Sequence, residues 1–145
     1  GFQEHKMDPK YRVAIPVAWR PEEGEQLILQ EASSGGVQCI RVNTMAAFED
    51  VVDLIKNRSG RSAGEVRDAL GFLYASIEKV SVNSQGKLLI PKDWSIRANI
   101  AAESTVMLVG RGEYFDICNS DDYITVQQQQ KARVLASMGD LGIFS

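Results

Sequence analysis

HKMDPKYRVAIPVAWR (residues 5–20) and VSVNSQGKLLIPKDWS (residues 80–95) decide the fold, because the first lies over the second without a gap at an offset of 75. Ile15-Pro16 falls on Ile90-Pro91, Asp8 on Asn83, Arg12 on Lys87, Val13 on Leu88 and Trp19 on Trp94. An apolar strand, an Ile-Pro step and a tryptophan coincide, which duplication explains better than the chance likeness of two generic strands. Further along, RVNTM at 41–45 falls near DICNSD at 116–121, with a shift of one residue.

Both halves share one plan. A short strand runs into a tight turn, at Pro9-Lys10-Tyr11 or Ser84-Gln85-Gly86, and a second strand follows, Arg12 to Ile15 or Lys87 to Ile90. Pro16 and Pro91 end these strands, since proline has no amide hydrogen for a ladder, and each suits the first position of a helical turn. The tryptophan three residues on can fold back onto the core. A hairpin comes next: Gln26–Glu31 with Val37–Val42 around Ser33-Ser34-Gly35-Gly36, then Thr105–Val109 with Tyr114–Cys118 around Gly110-Arg111-Gly112. Helices close each half, with Thr44 capping Phe48, Val51, Val52 and Ile55, and Ser120 expected to cap Tyr123 and Ile124. The polar run 57–64 (NRSGRSAG) links the halves and leads into a helix over Glu65–Ser76, whose Val66, Ala69, Leu70, Leu73 and Ile77 form a core-facing stripe. The tail from Gln127 to Ser145 admits three readings: an exposed helix extension, a subunit contact or a frayed end.

Composition narrows the chemistry. The 145 residues are 44% hydrophobic, enough for a packed core. One histidine, His5, and two cysteines, Cys39 and Cys118, are too few for a multi-histidine or four-cysteine metal site, and no nucleophile–base pair, phosphate-cradling loop or carboxylate cluster stands at a meaningful spacing. The expectation is a chain without enzymatic activity, cofactor or small-molecule substrate. Both cysteines sit in alternating apolar runs and read as buried reduced thiols rather than a disulfide. No run of 18 apolar residues and no charged-then-apolar leader occur, so the chain reads as cytosolic, with no membrane partner.

HKMDPKYRVAIP resembles the Asp-x-Lys-Gly-Arg-x-x-Ile-Pro signature of MraZ proteins, tandem forms of the AbrB-type swapped-hairpin domain, and NSQGKLLIP is similar to the same signature in weakened form. The resemblance runs from Phe2 to about Val126 and includes the second hairpin, MLVGRGEYFDIC. It implies a mainly β fold with short helices (α+β), a double-split β-barrel built from two pseudo-twofold SpoVT-AbrB-like repeats at 2–56 and 78–126. Residues 57–77 are then linker and helix, and 127–145 a C-terminal tail. The implied function is a bacterial transcriptional regulator, typically a repressor of the division and cell-wall gene cluster, cytoplasmic and associated with the nucleoid. It would bind direct repeats in promoter double-stranded DNA as a ring-shaped homo-oligomer.

Carried over residue by residue, the family's DNA-contacting positions are Asp8, Lys10, Arg12 and Arg20, with Asp8 orienting Arg12. Arg12 is then the residue that reads bases, and Lys6, Lys10 and Arg20 position the phosphate backbone. Without the resemblance, the residues favour Asp8–Arg12 as a surface ion pair, and His5 beside Lys6 reads equally as a phosphate contact or as a solvated or structural histidine. Two departures bear on this. Tyr11 replaces the family's glycine, so the first turn is not expected to rely on a glycine at positive φ. In the second motif, Asn83 and Lys87 replace the acid and the arginine, which exchanges a held guanidinium fork for a flexible point charge, so Lys87 should contribute less than Arg12.

Charge distribution supports the same regions. Residues 5–20 carry +3, residues 79–97 carry +3 and the remainder −9, which together make the net −3. Basic character is concentrated at the repeated turns, where it suits phosphates. Two other functions stay open at the level of sequence: an oligomeric structural or protein-interaction module with a degenerate reading motif, and an AbrB-like antitoxin or transition-state regulator, though these carry one motif per chain.

Overall fold

The alternating apolar residues of both halves form antiparallel strands, seen in a computed structural model that describes residues 1–34 and 36–144. The strands are β1 (Phe2–Lys6), β2 (Arg12–Ala14), β3 (Leu27–Ser34), β4 (Val37–Thr44), β5 (Ile77–Val80), β6 (Lys87–Leu89), β7 (Thr105–Gly110) and β8 (Tyr114–Asn119). The helices are α1 (Met45–Lys56), α2 (Ala63–Ala75), α3 (Lys92–Arg97) and α4 (Ser120–Met138), with short 3-10 turns at Val17–Trp19 and Gly139–Leu141.

One sheet has the order β1-β7-β8-β4-β3-β5, and β2 pairs with β6 in a separate two-stranded ribbon. The six-stranded order reads the same from either end once first-half strands are exchanged for their second-half counterparts. Each half lends its first strand to the hairpin of the other: β1 adds to β7 and β5 adds to β3. The pseudo-twofold axis is visible in the registers, since Val13 faces its own counterpart Leu88 in the ribbon and Arg41 faces its counterpart Asp116 between β4 and β8. The fold is thus mainly β with short helices, as expected. The ribbon covers one face of the large sheet.

Strand alternation divides the core. Leu27, Leu29, Ile40, Val42, Val106, Leu108, Phe115 and Ile117 pack toward the ribbon against Met7, Val13, Ile15, Leu88, Ile90 and Trp94. On the other face, Ile28 packs with Phe48, Val52 and Leu73 beneath α1 and α2. Cys39, Val109 and Cys118 pack with Tyr123 and Val126 beneath α4. Both cysteines are free and buried, as the alternation implied, with their sulfurs 2.7 Å apart between β4 and β8. Trp94 is buried in the main core, and Trp19 rests on Phe115 with ring centroids 5.4 Å apart.

Several element ends differ from the sequence reading. Pro16 and Pro91 stand one residue before their helical turns, because a ψ near 140° keeps each in extended chain. The first-half hairpin strands run longer than expected, to Ser34 and from Val37 to Thr44, while Gly35 of the expected turn lies outside the described residues. Thr44 caps α1 as expected, its side chain accepting from the Ala47 N–H at 3.0 Å. Helix α4 is capped by Asn119 and not by Ser120, since the Asn119 side chain accepts from the N–H groups of Asp121 and Asp122. That assignment removes the one-residue shift, because Thr44 and Asn119 are 75 apart. Ser62 and Glu65 form a reciprocal capping box that starts α2 two residues early. Within the expected stripe Leu73 is buried, Leu70 and Ile77 are half-buried and pack against the same cluster, and Val66 is half-buried, so the core-facing reading is corrected at the exposed Ala69. The tail takes the helix-extension reading, α4 continuing unbroken to Met138.

Candidate nucleic-acid interface

In the ribbon Val13 and Leu88 point inward and are fully buried, so Arg12, Ala14, Lys87 and Leu89 make up its outward face. Leu89, opposite Arg12, is 54% exposed. Because the strands are antiparallel, the turn before β2 and the turn before β6 lie at opposite ends of this face. Symmetric hydrogen bonds seal the two ends: the Ile90 N–H donates to the Tyr11 carbonyl at 2.9 Å and the Ile15 N–H to the Gly86 carbonyl at 3.0 Å.

At the first end the Asp8 carboxylate organises everything. Oδ1 accepts from the backbone N–H groups of Lys10 and Arg12, both at 2.8 Å, and Oδ2 accepts from Arg12 Nε at 2.8 Å. Pro9 suits the second position of the turn, which closes through the Tyr11 N–H to the Asp8 carbonyl at 3.2 Å. Partial burial acts to raise the Asp8 pKa, but the hydrogen bonds from Arg12 and Lys10, with the Arg12 charge, outweigh it and hold the carboxyl below its usual value. Held through Nε, Arg12 has no partner for its terminal nitrogens among the described residues.

The second end repeats the backbone with different chemistry. Asn83 Oδ1 accepts from the N–H groups of Gln85 and Lys87, both at 2.9 Å, and the Gly86 N–H donates to the Asn83 carbonyl at 2.9 Å. An amide oxygen therefore shapes the turn as well as a carboxylate does, yet it brings no charge to hold Lys87. Lys87 has no acidic partner among the described residues. Gly86 is left-handed with φ 75°, and its counterpart Tyr11 adopts the same conformation with φ 59°. The first turn thus keeps the positive φ without glycine, at a cost of about 1–2 kcal/mol, because the Asp8 bonds fix the backbone and the Tyr11 ring packs on the main core.

The remaining expected residues divide. Lys10 is exposed on the first turn, and Lys6 is exposed at the end of β1, opposite Thr105 and off the ribbon. His5 is half-buried, its Nε2 3.1 Å from Gln3 Oε1. Arg20, grouped by sequence with the first motif, lies at the second end: its Nε donates to the Ile15 carbonyl at 2.8 Å and its guanidinium covers Gly86. In the second basic window Arg97 is taken up by ion pairs with Glu31 and Asp93. Sequence reasoning passed over the exposed Leu89 and the placement of Arg20; the offset of 75 held the signal for the latter, since it pairs Tyr11 with Gly86 and Arg20 with Ser95. Among the described residues no three or more His, Cys, Asp or Glu side chains gather to hold a metal ion, and no helix is long and apolar enough to cross a membrane.

No family model matches the chain. It is similar to proteins named transcriptional regulator MraZ from several bacteria. The one from Mycoplasmoides gallisepticum is 25% identical over 123 residues, covering 85% of this chain and 82% of the relative. The one from Acetivibrio thermocellus is 26% identical and covers 99% of this chain and 98% of the relative. The one from Caldanaerobacter subterraneus is 28% identical over 110 residues, covering 76% of this chain and 73% of the relative. The likeness to MraZ regulators thus spans nearly the whole chain, including the stretch from Phe2 to about Val126 that carries the resemblance in sequence.

Proposed function

We propose, with this likeness as the premise, that the chain is a sequence-specific DNA-binding transcriptional regulator that contacts DNA through the outward face of the β2–β6 ribbon. The observation that carries the reading is the Asp8–Arg12 arrangement: one carboxylate fixes the turn backbone and the guanidinium together, while the terminal nitrogens of Arg12 stay unengaged. A preorganised guanidinium fork suits the O6 and N7 acceptors of guanine in the major groove, a contact that discriminates by about 1–3 kcal/mol. Lys6, Lys10, Arg20 and Lys87 supply phosphate contacts.

Its finer features follow the family expectation: a cytoplasmic, nucleoid-associated repressor of the division and cell-wall gene cluster, with repeats at 2–56 and 78–126, a linker and helix at 57–77 and a tail at 127–145. A ring-shaped homo-oligomer would engage direct repeats in the promoter, linked weak contacts adding avidity. In support of a ring, α1 and α2 expose Leu54 and Phe72 on one side of the pseudo-twofold axis, and α4 exposes Ile124 on the other. Two different apolar patches on one chain are what a heterologous, closing interface requires.

The test is a mobility shift on the DNA immediately upstream of the chain's own gene. Arg12→Ala is expected to abolish the specific shift with thermal stability and assembled size unchanged, and Lys87→Ala to weaken it only slightly. Unchanged affinity in Arg12→Ala would remove Arg12 from the interface. A folded, assembled wild type that shifts no DNA at low salt would instead favour a protein-interaction module.

A further inference from the structure

The pseudo-twofold axis leaves one pair of side chains without a like counterpart. Cys39 on β4 and Cys118 on β8 stand one step beyond Ile40 opposite Ile117, so they face each other across the junction of the two halves. The offset of 75 maps them onto Tyr114 and Asn43, the pair that faces at the other end of the same ladder. Duplication therefore accounts for the two positions but not for the thiols, which occupy only one of them. Residues directly opposite in an antiparallel pair have Cα atoms about 4.5–5.5 Å apart, within the span of a disulfide. With the sulfurs already 2.7 Å apart, closing to a bond of about 2.0 Å needs only a small side-chain movement.

The pair is also reachable from one side. Cys39 lines a cavity of about 80 Å³ whose walls include Arg41, Arg111, Asp116, Gln130 and Arg133. Arg41 and Arg111 both pair with Asp116, and Arg111 Nη1 donates to Gln130 Oε1 at 2.7 Å, so these groups are held in place around a space that suits a water-sized oxidant. Three guanidinium groups against one carboxylate give the cavity an excess of positive charge, which favours a thiolate at its floor. Cys118 is fully buried and takes no part in the lining. The hydrogen bond from Cys118 lowers the pKa of the Cys39 thiol, with help from Arg111 and against burial and Asp116, while the same bond and burial raise that of Cys118. Cys39 is thus placed as the attacking sulfur and Cys118 as the one behind it.

We propose that Cys39 and Cys118 form a redox-modification site, at which a peroxide entering the cavity oxidises Cys39 and Cys118 then closes an intramolecular disulfide. The Cys39 thiolate attacks one peroxide oxygen, the O–O bond breaks, and the other oxygen leaves as hydroxide and takes a proton from solvent. Cys39 is then a sulfenic acid. Attack by the Cys118 sulfur forms the S–S bond and breaks the S–O bond, and the departing oxygen carries off the Cys118 proton as water. Two thiols have lost two electrons and one peroxide has become two waters. The bridge ties the first half to the second across a separation of 79 residues, and so removes freedom from the unfolded chain. The sulfurs lie beneath α4, on the sheet face away from the ribbon, so the inference stands independently of the DNA-binding reading.

The test treats the reduced full chain with hydrogen peroxide at equal concentration, alkylates it in denaturant and determines its mass and its linked peptides. The expected product has lost two hydrogens, takes up no alkylating agent and yields one peptide joining Cys39 to Cys118. Its urea midpoint should lie above that of the reduced chain and return to it after dithiothreitol. Cys118→Ala should stop at a Cys39 sulfenic acid that dimedone captures, whereas Cys39→Ala should leave Cys118 unreacted. Two alkylated thiols in wild type after peroxide would overturn the proposal and leave the pair as small apolar residues of the core. Disulfide-linked dimers in place of the internal bridge would overturn it as well, as would dimedone capture at Cys118 with Cys39 untouched.

Discussion

Asp8 and Asn83 perform the same backbone task with different side chains, and the difference isolates what the carboxylate adds. Both accept from the N–H groups two and four residues on, so neither turn needs a charge to form. Only Asp8 also holds a guanidinium. Asp8→Asn should therefore fold with its turn intact, as Asn83 does, but release Arg12 and lose specific DNA affinity. Its pH behaviour has a definite sign. The folded pKa of Asp8 is lowered, so its stabilising contribution is present above the unfolded value and disappears as pH falls through the folded one. In thermal melts the gap between wild type and Asp8→Asn should be constant near neutrality and close below about pH 4. A gap that widens on acidification would contradict the ion pair.

At the scale of elements, the caps offer the sharpest test of how the halves correspond. Asn119 accepts from the N–H groups of Asp121 and Asp122 while its Nδ2 donates to the Asn99 carbonyl, whereas the Ser120 hydroxyl reaches Glu4 on β1 at 3.3 Å. Asn119→Ala should cost about 1 kcal/mol in chemical denaturation and Ser120→Ala markedly less; the reverse order would restore the shifted correspondence of the repeats. The strands, the first cap and the hairpin positions were legible because alternation, proline and glycine act locally. The second cap was not, since Asn119 and Ser120 are both good capping residues and only the register of β8 decides between them. The exposure of Ala69 and the shallow burial of Val66 were hidden for a related reason: the 3.6 period gives the face, not how deeply it is covered. The positive φ of Tyr11 was also illegible, being imposed by four hydrogen bonds at the turn against the residue's own preference.

Across the whole molecule the duplication has become an asymmetry with a purpose. Opposite each other near the axis stand Arg41 and Asp116, counterparts that in two identical chains would carry the same residue. Here the Asp116 carboxylate is buried between Arg41 and Arg111, with Nε–Oδ distances of 3.2 Å to each, and Arg41 also lies 4.3 Å from the centre of the Tyr114 ring. Such a pair favours the first half docking on the second half over either docking on a copy of itself. The same divergence separates the two ends of the ribbon, so the net −3 of the chain says little about its partner while the placement of the basic turns says more. The measurement that bears most directly on this account is hydrogen exchange of the assembled protein with and without the duplex upstream of its gene. The account predicts slowed exchange at Lys10, Arg12, Gln85 and Lys87, at both ends of the ribbon, and none on the exposed faces of α1 and α2 arising from DNA. Protection on the α1–α2 face with both turns unchanged would contradict it.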